Sequence, residues 1–413
     1  YATGRDAGII STVGPLGFIG GNPLGYGDNY QSPYGLTRYA FSNNYTYSTS
    51  TTYNNALGAT YVNGLNDPSI KAGNKKTLEL GTDFRFLKNR IGFDFTWFRT
   101  INELLTSRSI SPSSGYTSVT ENTGEFKYKN TGVKMVLTGT PVKTKNFRWD
   151  VTVNGSTFKR VWVKNPSPNN WVKDGDRVDL VYGNAFVRTP DGQLVHGSNG
   201  LLLRFSDLGS PARRIFGHAD PDFIWGIVNT LNYKNLSLTF QFDGVIGGVF
   251  HDYVRQKTLQ GGRHLETVQG EWGAHRYDDV NGGSYVANGI ILVGTPVLDP
   301  VTGEITNWKD LSTAPNTKST TVQNYSSRYA SIQDLNIISK TFAKLREVTL
   351  TYKLPQGIFG KAFNQASVSF VGRNLLLFFP DRYKDVDPDQ FMQSSGSDLQ
   401  TPTTRRFGVN FNL

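Results

Sequence analysis

Apolar and polar residues alternate along this chain with a period of two. Ile91, Phe93, Phe95 and Trp97 alternate with Gly92, Asp94 and Thr96, and Phe147, Trp149, Val151 and Val153 alternate with Arg148, Asp150, Thr152 and Asn154. The same pattern recurs in Leu236, Leu238, Phe240 and Phe242, and again in Val348, Leu350, Tyr352 and Leu354. A strand sends successive side chains to opposite sides, so each run has one dry and one polar face. The pattern predicts strands near 76–87, 90–105, 124–141, 147–163, 223–234, 236–250, 341–354, 366–378 and 405–413. Tyr1-Ala-Thr-Gly4 reads as the end of another strand.

The links between these strands say where the dry face points. Short links (Lys88-Asn89, 142–146, Asn235, 355–365) alternate with long ones (106–123, 164–222, 251–340, 379–404). Tight turns at one end of every hairpin and large loops at the other are the signature of an antiparallel transmembrane β-barrel with long extracellular loops. Trp225 and Tyr233 share a face eight positions apart, as interfacial girdle aromatics do, and Phe342 and Tyr352 are expected to repeat that arrangement. Phe407, Val409, Phe411 and Leu413 give the last strand its apolar face. Counting back from Leu413 starts strand 76–87 at an extracellular loop and puts Tyr1 at an extracellular strand end. The expectation is therefore an all-β, partial barrel that other strands complete, since an open edge in lipid leaves backbone groups unpaired.

Composition narrows the picture further. Hydrophobic residues make up 37% of the 413 positions, and no run approaches the roughly 18 apolar residues of a membrane helix. The net charge of +10 is scattered without a basic tract, which argues against nucleic acid as a partner. With no cysteine there is no disulfide, zinc-thiolate site or cysteine nucleophile. The first residues lack the basic start and apolar core of a signal peptide.

Chemistry-bearing clusters are sparse. Asp385, Asp387 and Asp389 have the alternate spacing of a calcium loop but lack the glycine and glutamate of an EF-hand, so Ca²⁺ is the alternative to an expectation of no cofactor. Asp174, Asp176 and Asp179 form a similar set, and His264, Glu271 and His275 lack the spacing of a zinc protease. No nucleophile elbow or phosphate-cradling loop is present, so the protein does not read as an enzyme. Trp272, Tyr277 and Trp308, in a long loop, are the candidates for binding substrate, and Asp94, Gln241 and Asp243 for lining a passage.

Residues 341–380 resemble a known family. Phe342-Ala-Lys-Leu-Arg-Glu-Val-Thr-Leu-Thr-Tyr-Lys-Leu-Pro355, Val371-Gly-Arg-Asn-Leu375, Asp385-Val-Asp-Pro-Asp389 and Thr401-Pro-Thr403 are similar to successive motifs of the SusC/RagA-type TonB-dependent transporters. Asn122-Thr-Gly-Glu125, Asn130-Thr-Gly-Val133, Gly217-His-Ala-Asp-Pro-Asp222, Leu231-Asn-Tyr-Lys-Asn-Leu-Ser-Leu238 and Tyr1-Ala-Thr-Gly4 extend the resemblance over almost the whole chain. It departs at Asp389, where glutamate is commoner, and at Leu413, where an aromatic is commoner. The resemblance implies the C-terminal part of a barrel of about 22 strands, in the outer membrane of a Gram-negative bacterium, with the plug domain and TonB box lying outside this chain. It further implies import of a large nutrient, glycan or peptide, with a SusD-like surface lipoprotein, the TonB complex and outer-membrane lipid as partners. The alternatives are a scaffold subunit of an outer-membrane assembly or secretion machine, and a surface adhesin outside the membrane.

Overall fold

A computed structural model of the chain describes residues 2–5, 45–53, 56–61, 64–66, 73–169, 171–355, 366–379, 387–390 and 403–412. Its centre is a ten-stranded sheet. The strands are β1 (Ala2–Arg5), β2 (Asn74–Phe86), β3 (Ile91–Glu103), β4 (Lys127–Lys143), β5 (Phe147–Lys164), β6 (Phe223–Tyr233), β7 (Leu236–Ile246), β8 (Phe342–Lys353), β9 (Ser367–Phe378) and β10 (Arg406–Asn412). Each pairs antiparallel with the next. Every predicted strand is present, with ends moved by a few residues. Strands β1 and β10 are the two edges, and among the described residues they do not pair with one another.

The sheet's register carries the alternation from strand to strand. Phe84, Phe93, Leu137, Val153, Ile227, Phe242, Leu345 and Leu376 are successive cross-strand neighbours in one row. Trp149, Leu231, Leu238, Leu350, Phe370 and Val409 form another on the same face. Thr138, Thr152, Val228, Gln241, Glu347 and Arg373 make a row on the opposite, mainly polar face. Asn229, a polar interruption of the apolar face, accepts the Trp149 indole N–H at 3.1 Å.

Tight turns close the hairpins at one end. Leu87, Lys88 and Asn89 all take positive φ (52°, 57° and 64°) between β2 and β3, and Lys234 (52°) does so between β6 and β7. In the turn from β4 to β5, Thr144 Oγ1 accepts the Phe147 amide at 3.0 Å.

One expectation about the faces is overturned. Trp225 and Tyr233 do lie on the apolar face, paired with Gly155 and Phe147. Phe342 and Tyr352 do not share a face, because Gln241 pairs with Glu347 while the adjacent Phe242 pairs with Leu345. Arg346 is thus an extra residue on β8, and one extra residue inverts every side chain beyond it. Tyr352 stays on the apolar face and is 45% exposed, whereas Phe342 turns to the polar face and is buried.

The long links between β5 and β6 and between β7 and β8 are not featureless. They contain three short helices, α1 (Tyr253–Gln260), α2 (Gly270–Arg276) and α3 (Val322–Tyr329), and several short strand pairs. Val195-His196 of the first link pairs in parallel with Ile290-Ile291 of the second. Phe186 and Leu202 of the first pack with Tyr285, Val322, Tyr325 and Ile332 of the second in one buried cluster. Val187, Val195 and Phe205 pack with Ile305 in another. The two links therefore fold together as a layer at the open end of the hairpins, with a hydrophobic core of its own.

Candidate functional site

Three places concentrate polar chemistry: the bulge on β8, the junction of β5 with the first long link, and the loop layer. At the bulge, the inversion that buries Phe342 also turns Lys344 inward, where its side chain is 2% exposed. Its ammonium donates to Asp387 at 2.8 Å and to Asp389 at 3.0 Å. Arg346 donates to Asp243 of β7 at 2.9 Å through Nε and to Asp389 at 2.6 Å through Nη1. Thr403 Oγ1 donates to Asp387 as well. On β9, Asn374 takes the left-handed φ of 54° that asparagine tolerates better than most side chains, and its amide donates to the Thr404 carbonyl at 3.3 Å. Four stretches singled out in the sequence thus meet at one cluster. Burial alone would push the Asp389 carboxyl up, but Arg346 and Lys344 outweigh it and hold it below the usual carboxylate range.

This arrangement bears on the calcium alternative. Asp385 lies outside the described residues. Asp387 and Asp389 have lysine and arginine as their cations, so their oxygens already have charged partners.

The second junction has the same logic. Arg160 of β5 makes a bidentate pair with Asp220 at 2.7 and 2.9 Å. The Asp220 amide donates to Asp179 at 2.8 Å, and Asp179 is paired with Arg177 at 3.0 Å. Burial opposes ionisation of Asp179, yet the Arg177 and Asp220 donors hold its carboxyl below the usual range. Nearby, the buried Lys340 donates to the Ala219 carbonyl at 2.8 Å, and burial lowers its ammonium pKa. Of the other acids in that link, Asp174 accepts the Asn165 amide at 2.7 Å and Asp176 the Lys173 amide at 2.7 Å.

In the loop layer, Arg188 and Asp334 pair at 2.7 Å across the two links, and Asp334 also accepts the Phe186 amide at 2.9 Å. His196, buried against Tyr325, shares a hydrogen bond with its hydroxyl at 3.1 Å. Burial pushes the imidazole pKa down and the phenol pKa up, which keeps both groups neutral.

The three substrate candidates are not brought together. Trp272, on α2, meets Tyr325 and Tyr329 edge-on at centroid distances of 6.0 and 5.6 Å and so serves one buried cluster. Trp308 packs against the other cluster. Tyr277 is 86% exposed and presents its ring to solvent. Two passage candidates on the polar face have basic partners, Asp94 with Arg85 and Asp243 with Arg346. His264 caps a turn by accepting the Glu266 amide, and His275 bonds Ser284 at 2.9 Å. Ser284 donates to Asp278 at 2.6 Å, so the carboxylate holds the serine rather than orienting the imidazole, and no general-base relay results. Sequence reasoning missed Arg160 and gave Lys344 and Arg346 no role beyond their place in the motif that starts at Phe342.

Comparison with known proteins gives these features a context. No family model matches the chain. A TonB-dependent receptor of Formosa agariphila is 22% identical over 386 residues, covering 84% of this chain and 34% of the relative. The TonB-dependent receptor SusC of Bacteroides thetaiotaomicron is 24% identical over 213 residues, 46% of this chain and 21% of its own length. Among solved structures, the RagAB peptide importer in its open-open state matches with a TM-score of 0.59 at 17% identity, covering 89% of this chain and 37% of that one. That last likeness is one of fold.

These likenesses are to outer-membrane receptors of Gram-negative bacteria. Within that class its likeness is to TonB-dependent receptors of SusC/RagA type, and it spans about a third of the length of the first curated relative it matches (34%).

Proposed function

We propose that these residues are the C-terminal part of the barrel wall of a TonB-dependent importer, closed by further strands that pair with the free edges of β1 and β10. In this reading the plug and TonB box belong to another part of the same protein. The cargo is a bulky nutrient of the glycan or peptide class, and a SusD-like lipoprotein sits over the loop layer. The observation that carries the reading is the two-sided sheet. One face carries exposed apolar rows, the other is laced with ion pairs, and the large links leave from one end into a folded layer. Such a wall suits lipid on one side and a watery, plugged passage on the other. The peptide cargo of RagAB and the glycan alternative share a need for a wide lumen, which about 22 strands provide.

The test is uptake in a strain carrying the full-length receptor. Labelled oligosaccharides and peptides should enter only when both the receptor and TonB are intact, and a surface lipoprotein should co-purify with the receptor. Uptake that is unchanged by deletion of the receptor, with loss of an assembled surface structure instead, would establish the scaffold alternative.

A further inference from the structure

We propose that the outward face of β2 to β5, at the end where the long links leave, binds the phosphorylated headgroup of an anionic outer-leaflet glycolipid. The inference rests on the barrel reading above and deepens it. In the sheet register Leu78, Arg99, Thr131 and Lys159 are successive cross-strand neighbours, and Lys76, Ile101 and Lys129 form the next row out. These rows share the face of Leu80, Trp97 and Val133, and in them basic side chains first enter the apolar band, interspersed with Leu78 and Ile101. Arg99 lies two positions beyond Trp97, about 7 Å along the strand, which is the depth at which headgroups begin. Arg99 and Lys159 flank β4 and are therefore about 10 Å apart across the sheet, a span that suits a headgroup with one or two phosphates.

Charge balance separates this face from the other. On the polar face the basic residues Arg85, Arg160, Arg346 and Arg373 each hold a carboxylate. Among the described residues no ion pair involves Lys76, Arg99, Lys129 or Lys159, and Arg99 and Lys159 are exposed. The nearest carboxylate on the outward face, Glu103, stands one row further out opposite Lys127, with its oxygen held by the Asn74 amide at 2.7 Å. Beyond it, Lys164 is paired with Asp174 at 3.4 Å. A group of cations at the lipid border without protein counter-charges calls for anions from the membrane. Phosphate is the anion for which lysine and arginine are suited, as a point charge and as a fork.

The test uses the full-length receptor in mild detergent, with lipid A as the probe in phosphorylated and dephosphorylated forms, read by native mass spectrometry. Wild type should retain the phosphorylated lipid at least tenfold better than the dephosphorylated one. Arg99→Gln, Lys129→Gln and Lys159→Gln combined should abolish that preference, while Lys88→Gln with Lys234→Gln, in the turns at the other end, should keep it. Equal retention of the two lipids by wild type, or an unchanged preference in the triple variant, would overturn the proposal. If the triple variant does not fold, the wild-type comparison alone decides. A receptor that does not insert into bilayers overturns the barrel reading too, whereas an inserted receptor blind to phosphate overturns this inference alone.

Discussion

Phe186 and Phe407 have the same side chain and opposite surroundings. Phe186 is 0% exposed in the core of the loop layer, and Phe407 is 78% exposed on the sheet. The contrast holds across the two regions. The loop layer hides Phe186, Phe205, Leu202, Val187 and Val322 as a water-soluble domain does, while the sheet displays Leu80, Phe86, Phe370 and Phe411. Burying such a side chain is worth about 1.5–3 kcal/mol in water, so a sheet that forgoes this in row after row is built for another solvent. One chain thus obeys two hydrophobic rules, and ion clusters gather at the boundary between them.

Substitutions should respond to that division. Phe186→Ala should cost about 3–5 kcal/mol in the loop layer. Hydrogen exchange in 180–205 and 285–338 should rise sharply while the barrel keeps its resistance to unfolding in SDS. Parallel loss of the barrel would show the two regions to be one cooperative unit. Lys344→Met, at the boundary, leaves Asp387 buried without its ammonium and should cost about 3–5 kcal/mol, read as release of 387–390 to protease. Phe240→Arg on the outward face should cost about 2–4 kcal/mol if it lies near the bilayer midplane, and Gln241→Arg, one position along, far less. An equal response at the two positions would remove the distinction between the faces.

Between pH 7.5 and 5 the pH dependence should fall on the loop layer. His196 has a folded pKa depressed by burial, so the unfolded state binds more protons. Its contribution is complete above the unfolded value of about 6.5 and is lost as pH falls below it. Loop proteolysis should therefore accelerate from pH 7.5 to 5, with His196→Gln flattening the profile. The smallest expected effect is that of Tyr277→Ala, within about 0.5 kcal/mol of wild-type stability because the ring touches little. Any fall in cargo uptake from that change would make Tyr277 a contact residue.

The sheet was legible in the sequence because its signal is local: alternation every second residue marks a strand wherever one face is dry. Even Asn229 and Val228 barely disturb that rhythm. The bulge left only a slight trace, the consecutive polar pair Arg346-Glu347 that shifts the alternation by one between Leu345 and Val348, and the pairing to β7 is what locates the extra residue at Arg346. The loop layer was illegible for a different reason. Its contacts join Phe186 and Arg188 to Asp334, well over a hundred positions away, and α1 to α3 are too short to show a helical period. For the same reason the sequence leaves Trp272 and Trp308 open between binding substrate and loop packing, and the structure makes them packing residues. Among the candidates for handling cargo, Tyr277 alone keeps its ring in solvent.

The shared core of the two long links also has a consequence for how such receptors diversify. Neither link carries a complete set of packing partners, since Leu202 and Phe205 come from one and Tyr325 and Ile305 from the other. A recombination event that exchanges 165–222 without 251–340 would deliver half of an interior to a barrel holding an unmatched other half. Variation at this end of the protein should then be inherited as a two-part cassette, and chimaeras that swap both segments together should fold where single-segment chimaeras do not.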